Sequence, residues 1–131
     1  MKTSLNDISI FIARVVFSIL LMTHGLPKFN RLFEDKIRFA DPIGLGKELS
    51  LYLTVFSELI VPFFIIIGYK TRVLSLFPIV TMFIAAFIVH SADPFRKMEP
   101  AILFLTGFTI ILISGPGKIS LDYFFSKKKY Y

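Results

Sequence analysis

Apolar positions fall into four long blocks separated by short polar stretches, and inside the blocks apolar and polar residues do not alternate. The blocks cover about residues 8–25, 49–69, 73–90 and 99–114. A helix crossing a bilayer needs roughly 17 to 25 mostly apolar residues at about 1.5 Å rise per residue, and the first three blocks meet that length. The fourth is shorter. Its purely apolar stretch begins at Ala101, so Met98 to Pro100 or a thin bilayer edge must complete the crossing. In lipid each backbone polar group has to be satisfied within the structure, and continuous runs of this kind suit helices rather than alternating barrel strands. The pattern therefore predicts an all-α membrane protein, a four-transmembrane-helix bundle forming one membrane domain over residues 1–131.

The first block has the early basic residue of a removable leader, Lys2, but contains Arg14 and lacks an Ala-x-Ala type exit, so it reads as a retained helix. After it comes KFNRLFEDKIRFADPIGLGK, where Phe29, Leu32, Phe33, Ile37 and Phe39 or Ala40 recur near helical spacing among charged residues. That spacing predicts a short interfacial amphipathic helix after the first span, ended by Pro42, Gly44 and Gly46. It would serve as a surface cap on the bundle or as a grip on membrane or partner.

Composition supports the same solvent. The 131 residues are 55% hydrophobic with mean hydropathy +0.72, and so short a chain has too little interior to hide that surface from water. The lipid bilayer is the first partner implied. The net charge of +6 follows from membrane topology, without a nucleic-acid partner. With four spans, Lys2, Lys70, Arg72, Lys118 and Lys127 to Lys129 share one side, and Lys28, Arg31, Lys36, Arg38, Lys47, Arg96 and Lys97 the other. Basic residues thus tie, and their count alone does not orient the chain. The first loop dilutes its basic residues with Glu34, Asp35, Asp41 and Glu48, whereas Lys127-Lys128-Lys129 stand undiluted, which suits an anionic cytoplasmic leaflet and places both termini there.

Ionisable groups inside spans are costly, and they mark paired or functional positions. Arg14 and Glu58 are the two here. Measured from a boundary near Ile8 and Tyr69, they lie about 9 Å and about 16 Å deep, a difference an arginine side chain covers. They are expected to pair across adjacent antiparallel helices. Such a pair either fixes helix register or serves a ligand. Pro62 has no N–H for the carbonyl of Glu58, which tilts the choice towards a polar pocket, and Pro78 should bend the third helix in the same way. His24, His90 and Glu99 close the first span, close the third and open the fourth, so they are expected at one mouth. They can cap helix ends, hydrogen-bond a quinone or other polar headgroup, or ligate a metal, the last unsupported by any Cys or further His. Asp93 belongs to the neighbouring SADP turn. Lacking cysteine, the chain performs no dithiol exchange itself, and it shows no phosphate loop, no Ser-His-Asp order and no intrinsic cofactor motif.

The order of these features resembles the DoxX family of small four-helix bacterial membrane proteins. ARVVFSILLMTHGLPKF carries Arg14, Gly25 and Lys28 like the family's R...G..K pattern; ELIVPFFIIIGYKTR carries Glu58, Gly68, Thr71 and Arg72; AAFIVH ends in His90; and ISGPGKISLD is similar to the family's GPG-x-x-SLD ending, at Gly115, Pro116, Gly117, Ser120, Leu121 and Asp122. The resemblance runs from about Ile10 to Tyr123 and implies a bacterial inner membrane location. It also implies association with redox systems: one member resembles the quinone-reactive subunit of a thiosulfate:quinone oxidoreductase, and others work beside thiol-handling or oxidative-stress proteins. The expectation is a membrane subunit of a quinone- or thiol-linked system, with Glu58 and Arg14 as catalytic or ligand candidates, His24, His90 and Glu99 as further ligand candidates, and a membrane or redox partner supplying the electron carrier. The alternative is a non-catalytic scaffold of a larger membrane complex. A homo-oligomer fits either, and a transporter of four short spans would require one.

Overall fold

The computed structural model describes residues 2–129, and among these all regular structure is helical. Four helical spans are long and apolar enough to cross a membrane: Leu5–Arg31, Lys47–Ile67, Thr71–Val89 and Phe95–Ser114. Helix α1 is Leu5–Arg31. The second span consists of α2, Lys47–Val55, a π-helical turn Phe56–Ile60, and α3, Val61–Ile67. The third is α4, Thr71–Ile84, continued by a second π-helical turn Ala85–Val89. The fourth is α5, Phe95–Ser114, and a short α6, Leu121–Lys128, follows it.

Helix α1 starts on a capping box. Ser4 Oγ accepts from Asp7 N, and the Asp7 carboxylate accepts from Ser4 N at 2.8 Å. It then runs through Pro27 to Arg31, and its 27 residues span about 40 Å, well beyond a hydrocarbon core. The expected interfacial helix is present only as this last turn of α1; residues 32–46 form turns and irregular chain. A stretch so short cannot hold a helix alone, and Pro42, Gly44 and Gly46 prevent its extension.

The core is built from one stripe on each span. Leu21, Val61, Ile65, Met82, Ala86, Phe104, Phe108 and Ile111 pack together, with the Phe17 ring edge-on to Phe108 at 6.4 Å. The opposite stripes are apolar too: Ile12, Val16, Ile19, Phe63, Val80, Phe83, Leu103, Ile110 and Ile113 all face outward. A continuous apolar exterior around a core that holds Arg14, Glu58, Thr71 and Ser75 requires lipid as its solvent. The protein is a four-helix membrane bundle.

Candidate functional site

The second span breaks its helix at the level of its one carboxylate. Pro62 cannot donate to the carbonyl of Glu58 four residues back, and the chain widens into the Phe56–Ile60 turn, closed by Val61 N donating to Phe56 O. Ser57 and Glu58 lie in this turn, each 1% exposed. Gly25 of α1 packs against it so closely that a Cβ there would stand 2.9 Å from the Glu58 carbonyl oxygen. One turn further along α1, Lys28 Nζ donates to both Glu58 carboxylate oxygens, at 2.7 and 2.6 Å. Glu58 is fully enclosed while 29% of the Lys28 side chain is exposed, so the lysine screens the carboxylate from the outside.

The expected Arg14–Glu58 pair is not formed. Arg14 is completely buried, yet its Nη1 donates to Ile65 O at 3.2 Å and its Nη2 to Ile119 O. The reason lies in the direction of helical side chains, which lean towards the helix N-terminus. On α1 that lean carries Arg14 away from Glu58 and brings Lys28 back towards it. Because Gly25 marks the level of Glu58, Arg14 sits about 16 Å below it along the helix. There its bond to Ile65 O sits at the C-terminal end of α3, where a cation is favoured, and its bond to Ile119 O ties in the chain that follows α5. Gly68 closes this end at φ +74°, and a side chain there would collide with the Arg14 guanidinium and with Ser120.

The same end is tied from a third direction. Asp122 accepts from Lys70 N at 2.7 Å and Thr71 N at 2.9 Å, capping a helix whose own cap residue, Lys70, provides no side-chain bond, and Asp122 N donates to Gly68 O. Asp7 accepts from Lys118 N at 3.0 Å. Arg14, Gly68, Thr71 and Asp122 therefore form a structural knot.

Between the second and third spans lies a cavity of about 620 Å³, roofed by Phe39, Ala40, Pro42, Ile43 and Leu45 of the long loop. Leu53, Leu76, Phe77, Val80 and Ile84 give it apolar walls. Its polar lining is Lys28, Ser50, Thr54, Ser57, Glu58, Thr81 and His90. Thr81 Oγ donates to Ser57 Oγ at 2.8 Å, which sets the third span level with the Lys28–Glu58 pair. His90 lies nine residues beyond Thr81, about 13 Å nearer the mouth. Its Nδ1 is 2.7 Å from Asp93 Oδ2, and this contact, with help from Lys97, holds the Asp93 carboxyl below its ordinary value.

Of the five candidate residues, the cavity gathers Glu58 and His90. Arg14 belongs to the knot at the other end. His24 is exposed with its ring edge-on to Phe104 at 5.3 Å, and Glu99 is exposed at the start of α5; neither lines the cavity. Among the described residues no group of three His, Asp or Glu side chains is placed to hold a metal. Lys28, Ser57 and Thr81 join the site from outside the candidate set, and Asp93, in the SADP turn as expected, meets it only through His90. Lys28 was readable: it follows Gly25 by three residues, on one helix face, and leans back into the bilayer.

The DoxX family profile matches residues 9–91. The chain belongs to the DoxX family. The match covers Arg14, Gly25, Lys28, Glu58, Gly68, Thr71, Arg72 and His90, and stops before the fourth span and the Gly115–Asp122 ending. Similar proteins include the inner membrane protein YqjF of Escherichia coli K12, 27% identical over 130 residues that cover 95% of this chain and 97% of the relative. An uncharacterized protein of Haemophilus influenzae is 26% identical over 125 residues, 89% of this chain and 83% of the relative. No solved structure matches. In this DoxX protein the polar residues inside the bundle divide between two places, a cavity lined by Lys28 and Glu58 and a knot centred on Arg14.

Proposed function

We propose that this protein is an inner-membrane subunit of a bacterial redox system that binds a quinone-class ring in the cavity between its second and third spans. The observation carrying this reading is the Lys28–Glu58 pair beside a largely apolar cavity of about 620 Å³ between these two spans. Pockets of this size, mostly apolar with a few fixed polar groups, suit small amphipathic ligands. An ammonium has three donors; Glu58 takes two, and the third can serve a ring oxygen. The Ser57–Thr81 hydroxyl pair uses one of its two hydrogens on itself, which leaves the other for a second acceptor beside the first. Val73, Leu76 and Phe77 then offer an apolar track to a tail. The residues of this chain bind and orient the ring, and a membrane or redox partner protein supplies electron transfer. The inner-membrane assignment leans on the name of the E. coli relative, and the undiluted lysines of the tail support a cytoplasmic side for the termini.

Titration of the protein in nanodiscs with a short-tailed quinone tests this by calorimetry. Saturable binding is expected, weakened roughly tenfold or more in Lys28→Met by loss of a charge-assisted hydrogen bond, and unchanged in His24→Ala. Absence of binding, or equal affinity in Lys28→Met, would contradict it. One observation favours a scaffold instead: Lys28 satisfies both Glu58 oxygens, so the pair can register helices without a ligand. A Lys28→Met/Glu58→Gln protein that still co-purifies with its partner and keeps the partner's activity would support that reading.

A further inference from the structure

We propose that α6 is an in-plane anchor that docks the terminus-bearing end of the bundle on an anionic phospholipid surface. The sequence LDYFFSKKK places Leu121, Phe124 and Phe125 at i, i+3 and i+4, one apolar stripe, and follows them with Lys127, Lys128 and Lys129. Ser120 caps the helix by accepting from Tyr123 N at 3.2 Å, and the lysines of the last turn suit its C-terminal end. Yet no residue of α6 is buried in the protein, and Phe124 and Phe125 are 62% and 51% exposed. Eight residues do not sustain a helix in water, so something outside the bundle must cover this stripe.

Its root fixes where that cover is. Asp122 is bonded to the backbone of Lys70 and Thr71, in the link between the second and third spans, and the carbonyl of Ile119 is held by Arg14. The fourth span ends at Ser114, only a few residues earlier. Phe124 and Phe125 therefore stand at the level where hydrocarbon meets headgroups, as an interfacial helix requires.

Charge selects the surface. This end carries seven basic side chains and two acidic ones, Asp7 and Asp122, whereas the opposite end mixes seven basic with six acidic. Both acids here are committed to backbone N–H groups: Asp7 to Ser4 and Lys118, Asp122 to Lys70 and Thr71. Among the described residues the ion pairs are Lys28–Glu58 and His90–Asp93, both away from this end. Lys127 and Lys70 instead lie over the Tyr123 and Tyr69 rings, at 5.1 and 5.7 Å, which keeps their ammonium groups at the surface. Lys118 donates to Lys2 O, whereas Lys127, Lys128 and Lys129 are left for phosphate-bearing lipid, each strengthening association about fivefold near an anionic leaflet.

Amide hydrogen exchange of residues 121–128 in full-length protein tests this, in nanodiscs of phosphatidylcholine and of phosphatidylglycerol. Slower exchange in the anionic discs, by roughly a hundredfold for three lysines, is expected. Lys127→Gln/Lys128→Gln/Lys129→Gln should abolish the difference, and Phe124→Ser/Phe125→Ser should exchange fast in both discs, while the amides of α1 and α5 keep their protection. Equal exchange in the two lipids would overturn the proposal. So would protection that survives in the triple variant, or that follows the number of protein copies per disc, since a second chain would then be the cover.

Discussion

Gly25 shows how one missing side chain positions the site. Helix propensity alone favours alanine there by about 1 kcal/mol. The packing opposes it: the new Cβ would lie 2.9 Å from the Glu58 carbonyl oxygen and 3.0 Å from its carbon, backbone atoms that cannot swing aside. Overpacking of this kind costs about 1–3 kcal/mol. Gly25→Ala should therefore lower the thermal midpoint of the protein in detergent despite the better helix former. An unchanged or raised midpoint would show that α1 does not approach the second span so closely. The same contact explains why Lys28 reaches Glu58, since separating the helices at Gly25 would draw the ammonium from the carboxylate one turn above.

At the scale of elements, the helix beginning at Thr71 depends on a residue outside it. Lys70, in a left-handed conformation at φ 46°, gives no side-chain cap, and Asp122 of α6 accepts from the backbone N–H groups of Lys70 and Thr71. Asp122→Ala should cost about 1–2 kcal/mol of unfolding free energy, as for other lost caps, with Asp122→Asn retaining part of it. Loss of less than about 0.3 kcal/mol in the alanine variant would mean that water serves these groups equally well. The four long helices were legible in the sequence because runs of apolar residues that length leave no alternative in lipid. The interfacial helix was misjudged because apolar spacing over Phe29 to Ala40 is shared by chain that merely roofs a cavity, as Phe39 and Ala40 do. The break in the second span was half readable: Pro62 announces it, but not that the turn would widen to take in Ser57 and Glu58.

Across the whole molecule, two polar posts hold the bundle at different depths. One joins Lys28, Glu58 and the Ser57–Thr81 bond beside the cavity; the other joins Arg14, Gly68 and Asp122 about 16 Å away along α1. The sequence showed both ionisable residues within the spans. It did not show their partners, because depth read from residue number ignores the lean of each side chain and a first span ending at Gly25 left Lys28 in a loop. The most direct measurement is a pair of double-mutant cycles on reversible unfolding in mixed micelles, one with Lys28→Met and Glu58→Gln, the other with Arg14→Met and Glu58→Gln. Residues in contact couple by about 0.5–3 kcal/mol, and separated ones add within about 0.5 kcal/mol. The structure predicts coupling of about 1–3 kcal/mol in the Lys28 cycle and additivity in the Arg14 cycle. Additivity for Lys28 together with strong coupling for Arg14 would contradict it.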